Sequence, residues 1–319
     1  MLVLFALFAC HPDEPEKVVE DSDPWANWDE RPLAERCFAG VGDENKGIPD
    51  YDQFNPKVGH HCQGTDHQDI ADIGRLVFLG DSVTAGTPPT TIPQLYRSIV
   101  EVEVKARFGD DVIVEDCSAY GARTDDLLLP PHQQIMECFP GEDAIPERTL
   151  VVMTVGGNDM FAFAEDMRDG TPPEQVLAAV EDAGDKMHDA ISWFRDNEAT
   201  RFPSGVQVIF GNVYEFTDTV GDMDSCPTAE IFGFSGTIPE LRDAYLRINE
   251  RFVQTAVETQ TDVIFMLEHF CGHGFHADDP DNECYRGPDT ELYFDPTCIH
   301  PTPAGHARIA EMFTAVIDE

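Results

Sequence analysis

The sequence predicts an α/β fold, a three-layer α/β/α sandwich around a five-stranded parallel sheet. Two observations predict it: a set of short apolar runs, and helix-like segments that alternate with them. The runs are Leu76–Leu79, Val112–Val114, Leu150–Val155, Val206–Phe210 and Val263–Leu267. Each is almost continuously β-branched or aliphatic, which is typical of strands covered on both faces. Strands that alternate with helices favour a parallel sheet with helices on both faces.

The helix-like segments carry apolar residues at helical spacing. They are Ile92–Phe108, Pro173–Phe194, Pro239–Val257 and Pro303–Ile317. Proline near the start of a segment favours the first turn of a helix. In a sheet of this kind, ligands bind beyond the carboxyl ends of the strands. Residues that follow the apolar runs are therefore the first candidates for a functional site.

The composition is strongly acidic. The chain has 319 residues, with 61 Asp and Glu against 20 Lys and Arg, and a formal net charge of -41. Such a surface repels phosphate backbones and anionic membranes, so we expect no nucleic-acid partner. Hydrophobic residues make up 42% of the chain, which suffices for the core of a large α/β domain.

The N-terminus resembles a bacterial lipoprotein signal over residues 1–10. An apolar segment ends in Ala9, directly before Cys10, where such proteins are lipidated. The first basic residue is Lys17, so the positive segment expected at the start is missing. An ordinary buried strand is the alternative interpretation. We expect an exported bacterial protein, either secreted or held at the cell envelope by a membrane tether through Cys10.

Three further regions follow the N-terminal segment. Residues 11–35 are acidic and rich in proline, which predicts a flexible tether. Residues 36–70 contain Cys37 and Cys62 and are predicted to be a disulfide-stapled extension. Residues 71–319, which hold all five apolar runs, are predicted to form the main domain.

The remaining cysteines predict disulfides. Besides Cys10 there is an even number of them, without a CxxC pair that would suggest zinc, which favours an oxidising compartment. Cys37–Cys62 and Cys117–Cys138 are expected as local bridges. The last four, Cys226, Cys271, Cys284 and Cys298, are expected to pair among themselves.

Ser82 directly follows the first apolar run, in Gly80-Asp81-Ser82. A serine at a strand end is a nucleophile if the chain also supplies a base and oxyanion donors. Its alternative role is to cap a helix. Thr84 stands where the second glycine of G-x-S-x-G would be, which argues against the sharp turn of ordinary α/β-hydrolases.

Four segments together resemble the sequence blocks of the SGNH, or GDSL-type, hydrolase family. They are Gly80-Asp81-Ser82 with Gly86, then Gly121, then Gly156-Gly157-Asn158-Asp159, then His300. They occur in the family's order, from about Leu76 to the C-terminus. The resemblance implies the flavodoxin-like SGNH hydrolase fold and a carboxylic ester hydrolase.

The resemblance also implies a role for each of these residues. His300 would take the proton of Ser82, and the N–H groups of Ser82 and Gly121 with the Asn158 amide would bind the oxyanion. A glycine lets the backbone approach a ligand closely, and an amide side chain donates to developing negative charge. This chemistry requires no metal and no organic cofactor.

The acid of the site is less well defined. His300 lies in Asp295-Pro296-Thr297-Cys298-Ile299-His300-Pro301, where the family has Asp-x-x-His-Pro, so Thr297 stands at the usual position of the acid. Asp295 is the candidate third catalytic residue, since Pro296 bends the chain. A backbone carbonyl that orients His300, leaving a Ser–His dyad, is the alternative. His306 is expected to be structural.

The predicted function is therefore an exported serine esterase acting on a small-molecule or glycan ester, of unspecified acyl length. The alternatives are a carbohydrate O-acetyl esterase or a phospholipase of the same fold. From another class, the alternative is a glycan-binding surface lipoprotein without activity. Phe161 and Phe163 are candidates for lining an acyl pocket, with core packing as the other possibility.

Overall fold

The computed structural model describes residues 31–39 and 49–319. Its five strands form one parallel sheet in the order β2-β1-β3-β4-β5. The strands are β1 Arg75–Gly80, β2 Ile113–Asp116, β3 Thr149–Thr154, β4 Val206–Gly211 and β5 Asp262–Ile264. The predicted α/β fold with a five-stranded parallel sheet is thus confirmed. The predicted signal segment, with Cys10, lies outside the described residues, as does most of the predicted tether.

The described residues contain nine α-helices. They are α1 Leu33–Arg36, α2 Ser82–Ala85, α3 Tyr96–Phe108, α4 Gln134–Cys138, α5 Gly157–Arg168, α6 Pro173–Arg201, α7 Leu241–Thr259, α8 Met266–Phe270 and α9 Pro303–Asp318. Helices α3 and α9 pack together, and α5, α6 and α7 form a second group. Right-handed crossovers place these two groups on opposite faces of the sheet, because the strand order reverses direction after β2. The three layers were predicted.

The apolar runs reflect burial on both faces of the sheet. Leu76, Val77 and Leu79 in β1 are fully buried, and every residue of β3 is buried. Strands with no solvent face need no alternating polar residues. The edge strand β2 is only partly covered and ends in Glu115 and Asp116.

Three predicted elements differ from the structure by three residues or more. The first is helix α6, which continues past the predicted end at Phe194 to Arg201. The last strand was predicted to reach Leu267, but β5 ends at Ile264 and α8 begins at Met266. It is short because β4 ends at Gly211, the residue that pairs with Ile264. Helix α3 begins at Tyr96 instead of Ile92, because Pro93 lies in a separate 3-10 turn.

Residues of the predicted extension cover the free edge of β5. Gly64 forms an antiparallel bridge with Ile264. The Thr65 hydroxyl and the Gln68 amide donate to the two carboxylate oxygens of Asp262, at 2.9 and 2.7 Å. An uncovered edge would expose unpaired backbone groups, so this segment completes the sheet.

The described residues contain four disulfides, and all follow the predicted grouping. Cys37 pairs with Cys62 and Cys117 with Cys138, as expected for local bridges. The last four cysteines pair as Cys226–Cys298 and Cys271–Cys284. Within the part of the chain that the structure describes, no helix is both long and apolar enough to cross a bilayer.

Gly80 ends β1 at a point of very close approach to β3. Its φ is +122°, and a Cβ at this position would lie 2.1 Å from the carbonyl oxygen of Thr154. The buried Gln134 side chain accepts from Gly80 N–H at 2.7 Å and donates to Gly80 C=O at 2.8 Å. Only glycine satisfies both the backbone angle and the approach.

We expect Gly80→Ala to lower the free energy of unfolding by about 3–5 kcal/mol, because steric overlap adds to the cost of the backbone angle. Gly141→Ala is the matched control: its φ is +69°, but nothing lies within 4 Å of an added Cβ. The control should lose about 1–2 kcal/mol. Urea unfolding of both variants measures the difference, and equal losses would contradict the close approach as the cause.

Candidate active site

Ser82 is the first residue of helix α2 and does not cap it. The cap is Asp81, whose carboxylate accepts from the Val83 N–H at 2.9 Å. The alternative role of Ser82 as a helix cap is therefore wrong. Because Asp81 takes this role, the Ser82 hydroxyl is free to contact another group, and the Ser82 N–H has no acceptor within its own helix.

His300 supplies that contact. Its Nε2 lies 2.8 Å from Ser82 Oγ, although the two residues are 218 positions apart in the chain. The loop that carries His300 is held from outside: Tyr214 donates to the carbonyl of Ile299 at 2.9 Å, and the disulfide to Cys226 anchors Cys298. A serine hydroxyl this close to an imidazole has the geometry in which the imidazole could accept its proton.

Thr297 lies behind His300. Its Oγ1 is 3.0 Å from His300 Nδ1 and also donates to a carboxylate oxygen of Asp295. The same oxygen accepts the Thr297 N–H at 2.8 Å, which is an Asx turn that holds the carboxylate against its own loop. The sequence left Asp295 or a backbone carbonyl as the partner of Nδ1; the structure places the Thr297 hydroxyl there.

Gly121 and its neighbours lie beside Ser82. The Ala119 N–H donates to the carbonyl of Gly80 at 3.0 Å, and the Tyr120 hydroxyl donates to that of Gly86 at 2.8 Å. The φ of Gly121 is +76°, and nothing lies within 4 Å of an added Cβ. The loop that holds Gly121 is thus tied to both ends of the Ser82 turn, and Gly121 itself borders open space.

Asn158 lies in the first turn of α5, at the carboxyl end of β3. One N–H of its amide donates to the carbonyl of Ala122 at 2.9 Å. Since the amide has two N–H groups, the second is available to a ligand. Asn158 and Ser82 line the same cavity.

The neighbouring Asp159 joins these two loops. Its carboxylate accepts both the N–H and the hydroxyl of Thr124, each at 3.1 Å. Burial raises the pKa of Asp159 to about 6. This contact fixes the Gly121 loop to the start of α5, where Asn158 lies.

Burial also governs the charge of the central groups. It lowers the pKa of His300 below the ordinary value of 6.5, while the negative charge of Asp295 acts in the opposite direction. Burial raises the pKa of Asp81 to about 7. A neutral imidazole at neutral pH is the form that can accept a proton.

An apolar cavity opens beside Ser82, between α5 and the segment that follows β4. Its empty space, the open mouth included, is about 770 Å³. Its walls are mostly apolar side chains: Val155, Met160, Phe161, Ala164, Val213, Phe216, Met223 and Leu241. Phe161 thus lines the cavity, which was one of its two predicted positions. Phe163 does not line it and is buried in the core.

The other histidine of the C-terminal motif has a structural position. His306 is fully buried in α9, accepts the N–H of Tyr96 at 3.3 Å and stacks on the Tyr96 ring. Across residues 31–39 and 49–319, no three His, Cys, Asp or Glu side chains are grouped so that they could hold a metal ion.

Sequence reasoning missed three supporting side chains. Gln134, which pairs with Gly80, has no sequence signal, because only the fold places it at the end of β1. Asp159 belongs to the motif Gly156-Gly157-Asn158-Asp159, but the sequence analysis assigned it no role. Thr297 was noted only as a departure from the family pattern; its spacing of three residues from His300, the usual spacing of the acid, was the signal for its position.

Comparison with known proteins agrees with this geometry. Residues 78–308 match the GDSL-like Lipase/Acylhydrolase family. No curated protein sequence matches the chain.

Several solved structures align with this chain at low sequence identity. An extracellular lipase from Streptomyces rimosus is 17% identical, with 76% of this chain and 98% of that one covered and a TM-score of 0.45. The lipase Lip_vut3 from a goat rumen metagenome is 15% identical, with 76% and 96% covered and a TM-score of 0.47. A lipolytic protein from Veillonella parvula is 15% identical, with 75% and 94% covered and a TM-score of 0.43.

Proteins with so little sequence in common often act on different substrates, so the family alone identifies this chain. The match to the family covers most of the chain, from a residue within β1 to one within α9. The chain belongs to the GDSL-like lipase/acylhydrolase family, and it is a carboxylic ester hydrolase.

Proposed function

We propose that this protein is an exported serine esterase that cleaves esters of apolar acids through an acyl-enzyme. The observation that carries the proposal is the 2.8 Å contact between Ser82 Oγ and His300 Nε2, at the mouth of an apolar cavity. Ser82 is the nucleophile, His300 the general base, and Asp295 the acid whose charge stabilises the protonated imidazole.

The reaction runs in two halves. His300 accepts the Ser82 proton while Oγ attacks the ester carbonyl, and the protonated His300 then gives that proton to the departing alcohol. In the second half, His300 takes a proton from water, which attacks the acyl-enzyme and releases the acid. The N–H groups of Ser82 and Gly121 and the amide of Asn158 bind the oxyanion in both halves.

The cavity favours an apolar acyl group over acetate. Acetate needs room for one methyl group, whereas the walls here continue past Phe161 and Ala164 to Met223 and Leu241. Burying each further CH₂ of a substrate in such a space gains about 0.8 kcal/mol. A carbohydrate O-acetyl esterase binds only an acetyl group and would leave most of this cavity unfilled.

Export is supported by the disulfides. Four bridges within one chain are typical of proteins that fold in an oxidising compartment. Lipidation of Cys10 stays a prediction, which labelling of expressing cells with a fatty-acid analogue tests by comparison with Cys10→Ser.

Ser82→Ala should lower kcat/KM for p-nitrophenyl esters by at least about 10⁵-fold, because the nucleophile and its base act as a unit. Ser118→Ala is a matched control: Ser118 follows β2 at the same edge of the sheet, and its hydroxyl donates to the carboxylate of Asp116. The control should retain full activity and covalent labelling by a fluorophosphonate. Turnover by Ser82→Ala would refute the mechanism, and a wild-type protein that neither turns over nor labels would favour the glycan-binding alternative.

The pH profile of kcat/KM should fall on the acidic side with a midpoint below 6.5. Burial lowers the pKa of His300. When the pH falls below that pKa, the imidazole is already protonated and can no longer accept the Ser82 proton. Asp81, with a pKa raised to about 7, lines the same cavity. Asp81→Asn keeps an oxygen that can cap α2, so its profile separates the two titrations. A midpoint above 6.5 in both proteins would contradict the assignment.

Ala164→Leu should shorten the acyl cavity. Ala164 lines it from α5, so three added carbon atoms should shift the ratio of octanoate to acetate hydrolysis toward acetate by about tenfold or more. Ala162→Leu is the control, since Ala162 lies on the same helix and does not line the cavity. An acyl-chain series with p-nitrophenyl esters measures the ratio. A wild-type preference for acetate would favour the O-acetyl esterase instead.

A further inference from the structure

The contact behind His300 is a hydroxyl where a carboxylate is expected. We propose that Thr297 is a positioning residue, whose hydroxyl holds His300 in its reactive tautomer and connects it to Asp295. This inference rests on the proposed esterase mechanism and names the link that the mechanism needs between the base and the acid.

Counting donors and acceptors determines the tautomer. The Thr297 hydroxyl has one proton, and an ionised carboxylate only accepts, so that proton points to Asp295. The oxygen then presents a lone pair to His300 Nδ1, 3.0 Å away, and Nδ1 must carry the hydrogen. Nε2 is left unprotonated, facing the Ser82 hydroxyl at 2.8 Å.

The same series of hydrogen bonds stabilises His300 when its imidazole is protonated. After Nε2 takes the Ser82 proton, Nδ1–H still donates to Thr297 Oγ1, whose own proton still donates to Asp295. Thr297 neither gains nor loses a proton, so nothing is transferred beyond Nε2. Hydrogen bonds in series polarise one another, which transmits the negative charge of the buried Asp295 to the imidazolium.

The loop is rigid enough for a hydroxyl to do this. The Cys298 N–H donates to the Asp295 carbonyl at 2.9 Å, and the Asp295 N–H donates to the His300 carbonyl at 2.9 Å. The Thr228 hydroxyl donates to the Pro296 carbonyl at 2.8 Å. Threonine is β-branched and stiff at χ1, so its oxygen stays between its two partners.

Two variants separate the hydroxyl from the shape of the side chain. Thr297→Val keeps the shape and removes the hydroxyl, whereas Thr297→Ser keeps the hydroxyl. We expect Thr297→Val to lower kcat by about 10²-fold with KM unchanged. The His300 Nδ1–H then has no acceptor, so nothing favours the tautomer that leaves Nε2 unprotonated. Thr297→Ser should stay within about threefold of wild type. Thr290→Val, which removes a threonine hydroxyl that bonds only locally to the Gly287 carbonyl and does not line the cavity, should leave kcat unchanged.

Asp295→Asn tests the connection to the acid. An amide oxygen can still accept from the Thr297 hydroxyl and N–H, so this variant removes the charge and keeps the geometry. The double variant with Thr297→Val should lose little more kcat than either single variant, because both substitutions break the same series of hydrogen bonds.

The acidic side of the pH profile gives a readout that a purely structural role would not move. It should shift to lower pH in Thr297→Val and Asp295→Asn, since the charge of Asp295 raises the pKa of His300. The other titratable side chains that line the cavity are Asp81, Tyr214, Glu215 and Tyr245. These, and His306 in α9, are the same in every variant.

The tautomer is measured directly by ¹⁵N NMR of histidine-labelled protein, with His300→Asn to assign the signal. We expect a proton on Nδ1 in the wild type and Thr297→Ser, and a mixture of tautomers in Thr297→Val. Wild-type kcat in Thr297→Val, or an unchanged tautomer, would overturn the proposal. Because NMR needs no turnover, failure of the esterase mechanism, seen as turnover by Ser82→Ala, is distinguished from failure of the Thr297 contact.

Discussion

The close approach of β1 and β3 at Gly80 and Thr154 positions the site. These two residues are paired in register at the carboxyl end of the sheet, where an added Cβ would overlap the Thr154 carbonyl. Both strands end there, so the Asp81–Ser82 turn and the Gly156–Asn158 turn emerge side by side. Ser82 and Asn158 therefore inherit their separation from the spacing of two central strands that are buried along almost all of their length. Rigid placement of this kind lowers the cost of reorganisation during the reaction.

His300 lies on no strand, and its position depends on other constraints. The loop from Phe294 to Pro301 is closed by a bridge between those two residues and anchored to the segment after β4 by Tyr214 and a disulfide. The same segment supplies Val213 and Phe216 to the cavity wall. One region of chain thus shapes the acyl cavity and holds the loop of His300, so changes in it are expected to affect specificity and catalysis together.

Particular elements show which patterns were sufficient for prediction. The runs in β1, β3 and β4 were recognised because strands buried on both faces are uninterrupted and apolar. Helix α5 was not predicted as a helix, because it begins at two glycines, which are weak helix formers, and is only 12 residues long. The end of β5 depends on where β4 stops, which local sequence does not encode. The four disulfides followed the expected grouping, but the pairing of the last four cysteines needed the fold.

The sequence by itself determined the sheet, the family and the residues Ser82, Gly121, Asn158 and His300 as candidates, because apolar periodicity and ordered motifs are local properties of the chain. Only the tertiary structure decided which group faces His300 Nδ1. That answer depends on how the Asp295 side chain turns back onto the Thr297 N–H, which leaves the hydroxyl of Thr297 between Asp295 and His300. Such a contact is a matter of a few ångströms in a folded loop. The three-residue spacing places Thr297 near His300, but it does not specify that the hydroxyl faces Nδ1.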